Sequence, residues 1–191
     1  MPQPSPPGPG SIGPAHPLAD RLVAAYEHAP GAWILELGAG SGRNTAALRA
    51  ARLDVFSLTD AMPAPAQTFS AALSTHALLH GTAQAIAAQL DLIADALVAG
   101  GRLYATFGST RDARFGSGKA LGGGTFAPAD GDERGVAHTF FTQSELRELL
   151  ERRFEIVSLA EVDVDAVAGK WAHPTQPLHH AIHWFVEANA R

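Results

Sequence analysis

The stretch "ILELGAGSGRNT", residues 34–45, decides the fold. An apolar strand from Trp33 to Leu37 runs straight into glycines at 38, 40 and 42, and "GRNTAALRAARL" then continues as an alanine- and leucine-rich helix. A strand that turns into a helix through bare backbone presents amide groups and a helix N-terminus, which together receive an anionic group. The spacing narrows the reading. A dinucleotide fingerprint needs glycine at the first, third and sixth positions of the turn, and the sixth position here is Arg43. Glycines at the first, third and fifth positions, with Glu36 two residues before the first, form a different pattern.

Working outward, "LADRLVAAYEH" places Leu18, Leu22, Val23 and Tyr26 at helical spacing and ends before Pro30 and Gly31. Downstream, "LDVFSL" and "FSAALSTH" read as short strands. A long helical pattern follows through "AQAIAAQLDLIADALVAGG", expected to stop at Gly100 and Gly101, and "RLYATFGS" is a further strand. Strands alternating with helices argue for an α/β domain with a largely parallel sheet. From Thr110 to His138 the chain is glycine-rich with little periodicity and reads as one long loop. Thr142 and Glu145 have capping-box spacing at the start of "TQSELRELLERR". "FEIVSLAEVDV" and "HHAIHWFVEANA" alternate as strands with no helix pattern between them, hence as antiparallel neighbours at a sheet edge.

The composition excludes several classes. Of 191 residues, 46% are hydrophobic and 17% charged, and 14 basic against 19 acidic side chains give a net charge of −5. That profile is globular and leaves no basic block for a phosphate backbone, so nucleic acid is not expected as a partner. With no cysteine, the chain has no disulfide, thiolate metal site or cysteine nucleophile. Residues 1–16 read as a flexible Pro/Gly-rich tail and residues 17–191 as a single domain. No apolar run is long enough to span a bilayer, so no membrane association is expected and a cytoplasmic location is compatible.

"ILELGAGSGRNT" resembles the first motif of class I S-adenosylmethionine-dependent methyltransferases, and Gly42-Arg43-Asn44 is similar to the tellurite-resistance-type branch. "FSAALSTHALLH" looks like that family's fourth strand and following turn, and "LVAGGRLYATFGS" like its helix end, glycine turn and fifth strand. "RFGSG", "GVAHTFFTQSELRELL" and "FEIVSLAEV" resemble the acceptor-side loop and C-terminal part of small-molecule members. The resemblance implies a Rossmann-like class I methyltransferase sandwich, shortened to about six strands and mostly parallel, with an antiparallel C-terminal edge hairpin. It implies S-adenosyl-L-methionine as cofactor and a small-molecule methyl acceptor as partner. The cofactor's amino-acid end would lie on Gly38, Ala39, Gly40, Ser41 and Gly42, with Glu36 holding it or the loop, and Arg43, Asn44, Ser74 and Thr75 nearby. Two other functions stay open: a catalytically silent cofactor-binding or regulatory protein, and a nicotinamide-dependent reductase, which Arg43 disfavours.

In that family an acidic residue after the second strand binds both ribose hydroxyls, because one carboxylate accepts two hydrogen bonds. Asp60 stands about 20 positions after Gly38, as such a residue should, and Ala61 and Met62 would flank the adenine. Here the sequence departs from the pattern. The next strand opens at Phe69, leaving no room for the usual helix, third strand and second adenine contact. Either that helix and third strand are deleted, or "DAMPAPAQTFSAAL" follows the third strand and the second strand is lost instead. A right-handed crossover lands beside its starting strand, so the strand before Asp60 should neighbour the glycine-loop strand in either case. The first account is favoured, with "AMPAPAQT" a surface connection containing no strand.

Methyl transfer from a sulfonium needs its nucleophile in line behind the methyl group, so alignment and exclusion of water supply much of the rate. Where a base is needed, histidine titrates near neutrality. His76 and His80 follow a strand at its carboxyl end, where ligands bind in open α/β sheets, and are the catalytic candidates. Arg111, Arg114 and Phe115 on the long loop, with His138, Phe141 and Trp171, are candidates for the acceptor side. No metal site is expected, since His180 and His183 in a strand point to opposite faces.

Overall fold

The computed structural model describes residues 13–58, 66, 68–164 and 180–191. Helix α1, Pro17–Ala25, opens with His16 as its cap: the imidazole Nδ1 accepts the Leu18 amide at 3.1 Å. Strand β1, Trp33–Leu37, leads through the glycine turn into α2, Arg43–Ala50, and back along β2, Asp54–Leu58. Strand β3, Phe69–Ser74, is followed by a single 3-10 turn at Ala77–Leu79 and by α3, Ala83–Ala96. Then come β4, Leu97–Ser109; the short β5, Lys119–Gly122, and β6, Thr125–Ala127; β7, His138–Phe141; α4, Gln143–Glu151; β8, Phe154–Asp163; and β9, Ile182–Ala190.

Six of these strands make the main sheet in the order β2-β1-β3-β4-β9-β8. The first four are mutually parallel, and β9 and β8 are antiparallel. The strand before Asp60 does lie beside the glycine-loop strand, Trp33 opposite Asp54 through Leu37 opposite Leu58. Asp60 and nearly all of "AMPAPAQT" lie outside the described residues. The expected helix stop at Gly100 and Gly101 falls too late: α3 ends at Ala96 and those glycines sit inside β4, at its register shift against β3.

Alternation sorts the strand side chains into two cores. Leu35, Leu37, Ala72, Leu103, Ala105, Phe107 and Val186 face α3 and α4, meeting Ile86, Leu90, Leu146 and Leu150. Ile34, Ala71, Leu73, Tyr104 and Phe185 face the other way onto Leu18, Leu22 and Leu48 of α1 and α2. A period of two on the strands against 3.6 on the helices produces this two-sided sandwich. α4 starts with the full capping box, the Thr142 hydroxyl accepting the Glu145 amide and the Glu145 carboxylate accepting the Thr142 amide at 2.8 Å.

The long segment expected as a loop is partly a sheet, which raises the strand count to nine among the described residues. β4 runs past the end of β3, and its last two residues, Gly108 and Ser109, pair in parallel with Phe140 and Phe141 of β7. β6 pairs antiparallel with β7, and β5 with β6. The seam is tight at Gly124: a Cβ there would lie 2.6 Å from the Phe140 carbonyl oxygen, and its φ of +72° is left-handed. Two strands of three or four residues inside a glycine-rich stretch carry too little alternation to be read locally. No helix among the described residues is long and apolar enough to cross a membrane.

Candidate functional site

The glycine turn lies at the carboxyl end of β1, beside the carboxyl end of β3. Gly38, Gly40 and Gly42 have φ of +68°, +52° and +78°, and the Gly42 amide closes the turn on the Ala39 carbonyl at 2.8 Å. Gly38 is also sterically required, since a Cβ would stand 2.9 Å from that of Ala77. Gly42, the residue that caps α2, supplies no side-chain hydrogen bond to the helix start, where the positive end of the helix dipole lies. Beneath the loop Glu36 is buried, with Oε2 accepting the Thr45 hydroxyl and Oε1 without a hydrogen-bond partner among the described residues. Burial pushes its carboxyl above the ordinary value, partly offset by the Thr45 bond. Asn44 ties three segments, accepting the His16 amide and donating to the Thr75 hydroxyl, each at 2.9 Å.

From this loop a cleft of about 250 Å³ opens, bounded by Gly38, Ala39, Gly40, Ser41, Arg43 and Asn44 on one side. Thr75, His76, Leu79, His80, Arg114 and Glu133 bound the other. Behind His76 the rings of His183 and His16 follow at centroid distances of 5.6 and 6.1 Å. Burial, with Arg43 nearby, pushes the His16 imidazole down to about 3, so it is neutral. Arg114 is held as a fork on the buried Asp112, Nε to Oδ1 at 2.8 Å and Nη2 to Oδ2 at 3.1 Å, and its Nη2 also meets His183 Nε2 at 2.9 Å. Asp112 further accepts the Ile182 amide at 2.9 Å, locking the turn after β4 to β9. At the rim, Glu133 lies between His80 and His138, at 3.3 and 3.1 Å. His138 and then His80 hold its carboxyl well below the usual range.

The structure therefore brings Gly38, Ala39, Gly40, Ser41, Arg43, Asn44, Thr75, His76, His80 and Arg114 to one cleft, with His138 behind its rim. Glu36, Gly42 and Ser74 support it from below or beside: Ser74 is buried at the end of β3, opposite Leu37 and Ala105. Three other candidates go elsewhere. Arg111 pairs with Glu161 at 2.7 Å on the surface. Phe115 packs edge-on against Phe126 and Phe140 at 5.2 and 5.9 Å on the β5–β6 unit. Phe141 belongs to the core against Phe107, and its carbonyl accepts the Trp184 indole N–H at 2.9 Å. Asp60, Ala61, Met62 and Trp171 lie outside the described residues. Glu133, Asp112, His183 and His16 were not foreseen, because each acquires its neighbours through pairing across the fold and none stands in a local motif.

No protein-family model matches the sequence, and no curated protein matches it. Solved structures do match. A 1,6-didemethyltoxoflavin-N1-methyltransferase of Burkholderia thailandensis, with bound 1,6-didemethyltoxoflavin and S-adenosylhomocysteine, is 20% identical with a TM-score of 0.59, over 90% of this chain and 78% of that one. A SAM-dependent methyltransferase of Methanosarcina mazei is 17% identical with a TM-score of 0.61, over 92% and 98%. The [4+2]-cyclase SpnF is 17% identical with a TM-score of 0.54, over 90% and 80%. The chain thus has the α/β fold of class I S-adenosylmethionine-dependent methyltransferases, with a mostly parallel sheet and an antiparallel edge.

Proposed function

We propose that the chain is an S-adenosylmethionine-dependent methyltransferase acting on a small molecule. The observation that carries this reading is the uncapped start of α2 behind three left-handed glycines, where a side chain at Gly38 has no room. Such a cradle fits a ligand that lies against backbone and ends in a carboxylate. Gly38 to Ser41, with the amides of Arg43 and Asn44, would hold the cofactor's amino-acid end, and Glu36 underpins the turn. Asp60, with Ala61 and Met62, would serve the ribose and adenine. When bound, the cofactor supplies a methyl group on a positively charged sulfur.

The chain's own residues then have three tasks. Thr75 and His76, at the end of β3, and Leu79, on the following turn, form the floor on which an acceptor is aligned. Arg114, held in place by Asp112 and His183, borders that floor and would help to shape the acceptor space. His76 and His80 are placed to take a proton from an acceptor that arrives protonated, imidazole being the group that does so near neutral pH. A single domain over residues 17–191 and a cytoplasmic setting go with this reading.

Thermal melts with S-adenosylmethionine, S-adenosylhomocysteine and NADH test it, because a ligand that binds only the folded form raises its stability. Stabilisation by the first two supports the reading, and stabilisation by NADH alone sinks it. The fold also carries a cyclase, so product formation must be followed on a panel of oxygen, nitrogen and sulfur acceptors. Tight cofactor binding without turnover of any acceptor would favour a silent binder.

A further inference from the structure

We propose that His80, Glu133 and His138 form a site for one divalent first-row transition-metal ion at the acceptor end of the cleft. Among the described residues these three are the group of His, Asp and Glu side chains whose donor atoms come close enough to share an ion, all within 4.8 Å of one another. Glu133 offers one oxygen to each ring: Oε1 stands 3.3 Å from His80 Nε2 and Oε2 stands 3.1 Å from His138 Nε2. Donors bound at about 2.0–2.2 Å to a tetrahedral or octahedral ion are themselves about 3–3.6 Å apart, so each Glu133–imidazole separation matches a shared ion, while the widest donor pair, at up to 4.8 Å, has to draw in as the ion enters.

His138 is oriented by its far ring nitrogen. His138 Nδ1 lies 2.9 Å from the Val136 carbonyl, which only accepts, so the ring proton is on Nδ1. Nε2, in a ring with 4% exposure, is turned toward the Glu133 carboxylate. A histidine whose remote nitrogen is fixed by a carbonyl is set up as a metal ligand, with orientation and tautomer decided in advance.

The scaffold is built rather than incidental. His80 and His138 form a backbone bridge, the Gly81 amide donates to the Ala137 carbonyl at 2.7 Å, and the Thr139 hydroxyl donates to the Gly81 carbonyl at 2.7 Å. Two imidazoles and one carboxylate leave coordination positions free, as in metal sites that bind a further ligand, and with the ion bound His80 is a ligand and His76 alone keeps the proton-accepting role. His80 and Glu133 also line the cleft that holds the glycine loop. Those free positions therefore face the acceptor space, and an acceptor with a hydroxyl, carboxylate or ring-nitrogen donor would be anchored there. That last point rests on the methyltransferase reading; the metal site does not.

The test uses the full chain, stripped with chelator and titrated with Zn²⁺ by calorimetry and with Co²⁺ by visible absorption. We expect one ion per chain, bound at micromolar affinity or tighter. Glu133→Gln and His138→Ala should each weaken binding by about 100-fold or more, beyond what a lost outer-shell contact costs. His80→Ala, at the partly exposed rim, should do the same with least risk to folding, and a thermal melt checks each variant. His28→Ala, on a 92% exposed side chain, should change nothing. Acetohydroxamate added to the Co²⁺ form should shift its spectrum by occupying the free positions. Binding that survives in Glu133→Gln and His80→Ala, or no saturable binding at all, overturns the site. S-adenosylhomocysteine binding is measured in parallel: its failure with the metal retained sinks the methyltransferase reading alone, and the reverse result sinks only the metal site.

Discussion

The two walls of the cleft are made in opposite ways. The glycine wall is backbone, drawn from residues 38–44, and its shape is set by φ values at three glycines. The opposite wall is side chains, and its contacts join residues far apart: His80 with Glu133, and Arg114 with His183 across the β4–β9 pair. Backbone amides offer every ligand the same donors, which suits a part of a cofactor that never changes. A wall of charged and aromatic side chains varies by substitution, which suits whatever the protein must distinguish. The first wall is rigid by local geometry, and the second only as rigid as the fold that assembles it.

The largest test of that contrast is Asp112→Ala. It leaves Arg114 and the Ile182 amide without their buried acceptor and should cost about 3–5 kcal/mol in urea unfolding. Loss of less than about 1 kcal/mol would mean that the wall does not depend on this carboxylate.

Acid should act next. His16 is neutral in the fold down to about pH 3, whereas the unfolded imidazole titrates at 6.5. Between those values the unfolded state binds the extra proton, so this stabilisation is complete above pH 6.5 and is lost as pH falls toward 3. Over that window the chain should lose a few kcal/mol more than His16→Asn, which keeps a capping oxygen for α1. Parallel stability curves for the two proteins would remove His16 from the account.

Gly38→Ala strikes the other wall. A left-handed alanine costs about 1–2 kcal/mol, and its Cβ would meet Ala77. Stability should fall by about that much, while S-adenosylhomocysteine affinity falls by about tenfold or more, as calorimetry would record. Affinity unchanged would place the cofactor elsewhere. The smallest effect belongs to Thr142→Ala, which removes the capping box of α4 and should cost about 1 kcal/mol without touching ligand affinity on either wall.

The contrast also decides what could be read in advance. β1, the glycine turn and α2 are consecutive, and their strand, glycine and helix signals are local, so the conformation of the glycine wall was legible nearly residue by residue. The capping box at Thr142 and Glu145 and the alternation of β8 and β9 were legible for the same reason. Placement of β2 beside β1 followed from crossover handedness. The opposite wall was not legible. Glu133 lies in a glycine-rich stretch with no periodicity, and it meets His80 only because β7 pairs with the tip of β4 and bridges back to His80. Phe141, expected on the acceptor side, packs in the core, since a phenylalanine before a helix gives no sign of which face its strand will bury.

At Gly124 a neighbouring carbonyl occupies the space where a side chain would begin, and this bears on how the protein can diversify. The residues of β5, 119–122, are exposed and free to drift, so the outer face of that hairpin can be rewritten by ordinary substitution. A change at Gly124 instead displaces β7, and with it His138. A library randomised at 119–121 should stay folded and sample new surfaces, while one randomised at 124 should return glycine almost alone, so that a variable exterior is hinged to a fixed interior through a residue that cannot change.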